Sequence, residues 1–506
     1  MAGGPGAASG PDGAGRPHAP AAPDAARTRL VDELRDRGRL TSPAVEAAFR
    51  AVPRHVFLPE MTASQAYQDE AFVIKTGEDG LPLSSSSQPA IMAIMLEQLG
   101  VGRGQRVLEI GTGTGYNAAL LAHLVGPEGS VVTVDIDPDL VARARANLGR
   151  AGYPDVTVTC GDGGFGAPER APYDRIIVTA GASDLAPPWL AQLGPGGRIA
   201  LPLSLRGIQL CIALERSGGH WASRSACRCG FIRMVGSLAG PEPYAPLGPQ
   251  PGLHVQAEDG RLPAADALYA ALTGPHVDVL SGVRVAGLAE LGEADLWVTI
   301  MEPGLARLTI TGGGPLRGEI LPLMPFGMLA TPDSGPAGAS GVAGSGAAGG
   351  SEAAGSEGTG SGVPGWEGTG SGVAGGSGAG GVSGGRGVSG GRGVSGGRGV
   401  SGTGGFGAAG LVPAGPPSPA ESGRWEHEVT VRGFGPAGAA LAEHLAGRVA
   451  AWRAAGRPRA SALTVSAYPR ESPGQDVPML PAGPGQVILD RPHTRLVLAW
   501  PLRPAS

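Results

Sequence analysis

RVLEIGTGTGYNAALLA, Arg106 to Ala122, changes character at its centre. A short apolar run delivers Glu109, three alternate glycines follow at Gly111, Gly113 and Gly115, and a second apolar run of helical length begins at Tyr116. This is a buried strand turning sharply into a helix. Glycine is the residue that permits such a bend and lets a ligand lie against bare peptide groups. Because position 116 is Tyr, the spacing is G-x-G-x-G and not the G-x-G-x-x-G of dinucleotide binders. On its own the turn is weak evidence, since a purely structural bend uses the same glycines.

Its surroundings sharpen it. SVVTVDI, VTVTCGD, RIIVTAG and RIALPL read as further buried strands, YNAALLAHLV, LVARARANLGR and APPWLAQL as helices, and ACRCGFIRMVG (226–236) as a closing strand. Such alternation implies a parallel sheet covered on both faces. The second strand ends at Asp135, beside Ile136, where a carboxylate accepts the two hydroxyls of a ribose. The third ends at Gly161, Asp162 and Gly163, within reach of an adenine amine, and the fourth at Thr179 on the floor of the same crevice. Open α/β sheets bind ligands at this carboxyl edge, and the helix beginning near Tyr116 offers its free N–H groups to an anion. Without a pyrophosphate fingerprint the fitting anion is an amino-acid carboxylate, which makes the ligand S-adenosyl-L-methionine. A nicotinamide dinucleotide is the alternative that the spacing fits less well. The candidate cofactor contacts are Glu109, Gly111, Thr112, Gly113, Gly115, Asp135, Ile136, Gly161, Asp162, Gly163 and Thr179. The fold class expected is α/β, a Rossmann-like S-adenosylmethionine-dependent methyltransferase fold with an additional C-terminal α+β domain.

The chain of 506 residues holds 90 glycines and 47 prolines, too many for all of it to be packed. Residues 1–26 are Ala/Gly/Pro-rich and expected to be a disordered tail, 27–240 the catalytic domain, and 250–331 the first part of the C-terminal domain, with ADLWVTIM, ARLTIT and FGMLAT as strands. Over 332–420 Gly, Ser and Ala dominate, and GVSGGR recurs in three tandem copies from Gly381 to Arg398. That composition has no apolar stripe to stack and reads as a flexible insertion. Residues 424–506 then resume the interrupted domain, with a helix whose Leu441, Leu445, Val449 and Trp452 share one face. A net charge of −5 without a basic run gives no sign of a nucleic-acid partner. No stretch is apolar enough to span a bilayer and the N-terminus is no signal peptide, so a cytoplasmic setting is expected. The four cysteines suggest neither a disulfide framework nor a metal site, Cys227 and Cys229 being a C-x-C without a second pair. Oligomeric state leaves no signal.

VPRHVFLPE (52–60), AYQDEAFVI (66–74), SSQPAIMAIMLEQL (86–99), VLEIGTGTGYNAALLA, GDGG, APYDRIIVTAGA (171–182) and LAQLGPGGRIALPL (190–203) together resemble the protein-L-isoaspartate O-methyltransferases, in that family's motif order, from about Arg27 to Gly236. The resemblance implies methyl esterification of isoaspartyl or aspartyl carboxylates in a peptide or protein substrate. It also implies that the serine of the Ser-Gln-Pro step, Ser87 here, lies at the acceptor carboxylate. The family usually has Thr-Ile before that serine, whereas this chain has Ser85-Ser86 after a longer loop. The region beyond 236 is similar to extensions on actinobacterial homologues that accompany ribosomally made peptides such as lanthipeptides, which implies modification of a specific L-Asp in a precursor as the alternative to repair.

A carboxylate acceptor is already ionised at neutral pH, with an ordinary pKa of about 3.9, so no general base is needed and Ser87 is expected to position rather than attack. His55 is a further donor candidate or a capping residue. A serine hydrolase is disfavoured by the lack of a G-x-S-x-G elbow, and a cofactor-free scaffold by the intact Glu109, glycine and aspartate set.

Overall fold

The computed structural model describes residues 23–78, 82–240, 244–249, 253–257, 264–303, 305–310, 326–330, 408–413, 418–419, 425–470 and 485–501. The expected tail lies outside these up to residue 22, as do the GVSGGR repeats. The first helix nonetheless begins at Pro23, inside the stretch expected to be disordered.

Helices α1 (Pro23–Asp36), α2 (Pro43–Ala51) and α3 (Ala63–Ala66) lead into a hairpin of strands β1 (Phe72–Thr76) and β2 (Pro82–Ser86). Ser42 caps α2 by accepting from the Val45 amide, and Pro43 takes the first helical position. Helix α4 (Pro89–Leu99) follows the serine run. The glycine turn then joins β3 (Arg106–Ile110) to α5 (Tyr116–Val125), followed by β4 (Ser130–Asp135), α6 (Pro138–Arg150), β5 (Thr157–Cys160), β6 (Tyr173–Val178), α7 (Pro187–Gln192) and the long strands β7 (Leu193–Leu205), β8 (Ile208–Ser217) and β9 (His220–Cys229). Strand β3 pairs in parallel with β4 on one side and β6 on the other. The winding therefore reverses there, and a crevice opens at the carboxyl ends. Val107, Val131 and Ile177 enter one buried cluster, while Leu108, Ile110, Val132, Val134, Ile176 and Val178 enter another. Alternate residues thus bury both faces, as a parallel sheet requires.

Beyond β9 come β10 (Tyr244–Pro246), β11 (Leu253–Ala257), α8 (Ala265–Leu272), β12 (His276–Val285), α9 (Leu288–Met301), β13 (Leu305–Ile310), β14 (Phe326–Ala330), β15 (Ala408–Pro413), β16 (Ser418–Pro419), β17 (Trp425–Phe434), α10 (Gly438–Ala454), β18 (Thr464–Pro469), β19 (Gln486–Asp490) and β20 (Thr494–Ala499). Strand β12, before the Gly-rich segment, pairs with β17 after it. In α10, Leu441, Leu445, Val449 and Trp452 are all buried.

Three expectations are corrected. ADLWVTIM is not a strand but the C-terminal part of α9. Every residue from Ala294 to Ile300 is buried, so this stretch has no wet face and no helical periodicity to read, whereas Ala289, Glu290, Gly292 and Glu293 before it keep some exposure. The Gly-rich insertion expected to reach residue 420 gives way earlier, because β15 and β16 pair with β17. The last three strands also form no separate sheet. Strand β18 pairs with β9 through Ser466–Ala222 and Ala467–Trp221, extending the catalytic sheet to ten strands in the order β19-β20-β18-β9-β8-β7-β6-β3-β4-β5.

Candidate active site

The glycine turn is held by the acid that ends the neighbouring strand. Asp135 Oδ2 accepts from the amides of Thr112 and Gly113, both at 3.0 Å, and Oδ1 from the amide of Asp137 at 3.1 Å. Gly111 has φ +96°, and a Cβ there would stand 2.6 Å from Thr179 Oγ1, which donates to the carbonyls of Ile110 and Gly111. Behind the turn, Glu109 is fully buried. Its Oε1 accepts from Asn117 Nδ2 at 2.8 Å and its Oε2 from Thr133 Oγ1 at 2.6 Å, with Thr133 bonded in turn to Thr112 Oγ1 at 2.7 Å. Burial pushes the Glu109 carboxyl up to about 7, against the opposing pull of Thr133 and Asn117.

Strand β2 lies over this turn. A Cβ on Gly113 would sit 3.7 Å from the Ser85 carbonyl oxygen and 3.8 Å from Ser84 Oγ. Ser84 to Ser87 all line the cleft together with the glycine turn, Ser84 and Ser86 being buried and Ser85 and Ser87 partly open. Arg54, fully buried, fixes this row. Its guanidinium donates to the carbonyls of Gln68 (3.3 Å), Glu70 (3.2 Å) and Ser87 (3.0 Å) and to Ser86 Oγ (3.4 Å), and packs against the rings of Phe72 and Tyr116. Burial lowers its pKa to about 10, so it keeps its charge at neutral pH.

The chain that builds this cleft has known relatives. Residues 25–239 match the family model described as protein-L-isoaspartate(D-aspartate) O-methyltransferase. The protein-L-isoaspartate O-methyltransferase of Methanopyrus kandleri is 41% identical over 220 residues, covering 43% of this chain and 95% of the relative. The chain belongs to the protein-L-isoaspartate(D-aspartate) O-methyltransferase family. Protein-L-isoaspartate O-methyltransferase 1 of Archaeoglobus fulgidus is 42% identical over 226 residues, 44% of this chain and 98% of the relative. A solved protein-L-isoaspartate O-methyltransferase shares 30% identity over 46% of this chain and 84% of its own, with a TM-score of 0.40. The resemblance drawn from the motifs is thereby met. The protein is a methyltransferase of Rossmann-like α/β fold, and its cofactor is S-adenosyl-L-methionine.

The methyltransferase brings Ser87, Glu109, Gly111, Thr112, Gly113, Asp135, Ile136, Gly163 and Thr179 to one cleft. Gly115, Gly161 and Asp162 are not among its lining. Gly115 starts α5 and packs on Ala144 and Leu148 of α6, and the Gly161 amide bonds the Asp135 carbonyl. Asp162 accepts from the amides of Gly164 (2.8 Å) and Ser237 (2.7 Å). Burial raises its pKa, and these amides more than offset that, holding it below the ordinary carboxylate range. His55 bonds Tyr67 Oη through Nδ1 at 3.0 Å and does not line the cleft.

Two parts of the site escaped the sequence reading. One is Arg54. The other is Phe231–Val235, expected to continue a closing strand but leaving β9 to line the crevice as a wall beside Gly181: Gly181 N donates to Ile232 O (2.8 Å) and Met234 N to Gly181 O (2.9 Å). Its apolar run is what a strand would show, and only the pairing to Gly181 distinguishes the two.

The cleft suits the cofactor by its own chemistry. Bare peptide at Gly111 and Gly113 faces a hydroxyl row, and Asp135 keeps accepting capacity beyond its three amides. Ile136 beside it leaves 42% of its surface exposed, an apolar rest for a flat base. Among the described residues, no group of three or more His, Cys, Asp and Glu is disposed to hold a metal, and no helix is long and apolar enough to cross a membrane.

Proposed function

We propose that this methyltransferase esterifies the carboxylate of isoaspartyl or aspartyl residues in peptides or proteins. What carries the reading is the serine row Ser84–Ser87 lying over the glycine turn, hydroxyls placed to orient an acceptor that, as a carboxylate, has no proton for a general base to remove. When bound, S-adenosylmethionine supplies a methyl group on positively charged sulfur. Residues 27–240 hold the site: Glu109, Gly111, Thr112, Gly113, Asp135, Ile136, Gly163 and Thr179 contact the cofactor, with Gly115, Gly161 and Asp162 shaping the turns behind them. The Ser87 hydroxyl donates to the acceptor carboxylate and fixes its direction, while Arg54 holds the Ser87 carbonyl and so the hydroxyl's aim. Catalysis is then orientation and exclusion of water. The methyl ester carries a better leaving group than the free carboxylate: the following backbone nitrogen attacks the ester carbonyl, the C–OCH3 bond breaks, and methanol leaves with the amide proton, closing a succinimide that water opens to aspartyl and isoaspartyl peptide. We place the reaction in the cytoplasm, in keeping with four free cysteines.

The acceptor is either damaged isoaspartyl protein or a specific L-Asp of a dedicated precursor peptide. The second reading is favoured by the region beyond residue 239, outside the family match yet built into the catalytic sheet. Full-length enzyme offered an isoaspartyl peptide and its L-Asp twin, with methylation followed by mass, tests both. Turnover of the isoaspartyl form alone supports repair, and turnover of L-Asp supports maturation. Transfer to neither, with cofactor bound, would sink the acceptor assignment.

A further inference from the structure

Asp184 sits at the junction of the catalytic sheet and the C-terminal extension, 2% exposed, with three donors around its carboxylate. Oδ1 accepts from Thr494 Oγ1 at 2.5 Å and from the Leu185 amide at 2.8 Å, and Oδ2 from the His493 amide at 2.7 Å. Two of the three come from the start of β20, more than three hundred residues away in sequence. Thr494 is fully buried. A carboxylate this deep is stable only while its donors stay in place, because losing one leaves a desolvated charge that must find water.

The loop bearing Asp184 is the one that carries the cleft wall. Thr179 and Ala180 line the cleft, and Gly181 pairs directly with Ile232 and Met234 of the 231–235 wall beside them. Ala182 is clamped to β7 by bonds with Pro202 and Ser204, and Arg491 of the extension donates to the Ser204 carbonyl at 3.1 Å. Ser183 Oγ reaches the Leu238 carbonyl at 3.4 Å. Hydrogen bonds therefore tie β20 to Asp184 and Gly181 to Phe231–Val235, and the short stretch of backbone from Gly181 to Asp184, itself clamped to β7 at Ala182, joins the two sets.

We propose that the C-terminal extension is part of the acceptor site: through the Asp184–Thr494 latch it holds the 231–235 wall, making Asp184 and Thr494 positioning residues for acceptor binding. The proposal rests on the acceptor reading above for its kinetic consequence, but not for its structural one. The wall and the serine row line the same cleft, so loosening the wall is expected to disturb the acceptor held there, while the cofactor keeps its seat on the glycine turn.

Thr494→Val removes the hydroxyl at nearly constant volume. Ser223→Ala is the control: it deletes another bond between extension and sheet, from the Val465 amide at 2.8 Å, at a residue that does not line the cleft. In Thr494→Val, hydrogen exchange at the Gly181 and Met234 amides is expected to accelerate about tenfold. Acceptor KM should rise about fivefold, with kcat and the dissociation constant of S-adenosylhomocysteine within about twofold. Ser223→Ala should change none of these, and Thr494→Ser should restore the wild-type pattern. Unchanged exchange at Gly181 and Met234 in folded Thr494→Val overturns the latch, as does an equal response from Ser223→Ala. Should Thr494→Val not fold, Asp184→Asn, which sets two N–H donors against each other at His493, gives the same exchange readout. If no Asp or isoaspartyl peptide is methylated by the wild type, the exchange result still stands, so failure of the acceptor reading is separable from failure of the latch.

Discussion

At the scale of single residues, two side chains with similar local signals do different things. Ser87 is partly open in the cleft, whereas Glu109 lines it from a fully buried position tied to Asn117 and Thr133. Ser87→Ala removes a donor to a charged acceptor, a bond of about 1.5–3 kcal/mol. The expected outcome is a fall in kcat/KM of about tenfold to a hundredfold with S-adenosylhomocysteine affinity unchanged, read by steady-state kinetics beside calorimetry. A covalent role for the serine would instead abolish turnover altogether. Glu109 makes a stability prediction. Its folded pKa of about 7 lies above the ordinary glutamate value of about 4.3, so the native state binds the extra proton. The contribution is fully present below about pH 4.3 and is lost as pH rises through about 7, on the order of 3 kcal/mol in all. Urea melts of the cofactor-free protein should show wild type losing stability relative to Glu109→Gln from about pH 5 to about pH 8. A constant difference across that range would mean that the buried carboxyl stays ionised throughout. Arg54 marks the limit of reading residue by residue. In VPRHVFLPE a lone arginine reads as a surface charge, since arginine is almost never fully buried, and its four acceptors come from segments that only the fold brings together.

At the scale of elements, legibility followed wetness. The strands around the glycine turn were readable because their apolar runs are short and bounded, and α10 because its buried stripe alternates with a polar face. Helix α9, buried on all sides from Ala294 to Ile300, carried no period over that run, and Phe231–Val235 carried the apolar run of a strand it does not form. The glycine turn was the clearest element because its geometry excludes other residues. Gly111→Ala meets two obstacles, a backbone at φ +96° and Thr179 Oγ1 2.6 Å from the new carbon. A cost of about 2–3 kcal/mol is expected, with cofactor affinity falling at least about tenfold as the turn shifts. Gly152→Ala isolates the first obstacle, because φ there is +84° with nothing within 4 Å of the added carbon. It should cost about 1 kcal/mol and spare cofactor binding. Equal losses in the two variants, by denaturant melts and calorimetry, would mean that the contact with Thr179 is immaterial.

At the scale of the whole molecule, the described elements fall in one compact unit made of Met1–Gly335 and Gly404–Ser506. Its two stretches are tied by pairing that skips the intervening segment: β12 to β17 over His276–Phe434 to Val285–His427, and β15 to β17. Strand β14 ends at Ala330 and β15 begins at Ala408, so what lies between them closes a loop whose ends are already held. Loop closure costs about (3/2)RT times the logarithm of length, and replacing residues 334–404 by a Gly/Ser linker of about ten residues should therefore stabilise the fold slightly, by about 1–2 kcal/mol. The shortened protein is expected to melt no lower than wild type, to bind S-adenosylhomocysteine with unchanged affinity, and to keep fast exchange out of the β12–β17 ladder. A large loss of stability would show that the Gly-rich segment contributes contacts to the unit. A selective loss of acceptor turnover with the fold intact would assign that segment a part in substrate capture, separate from the latch at Asp184.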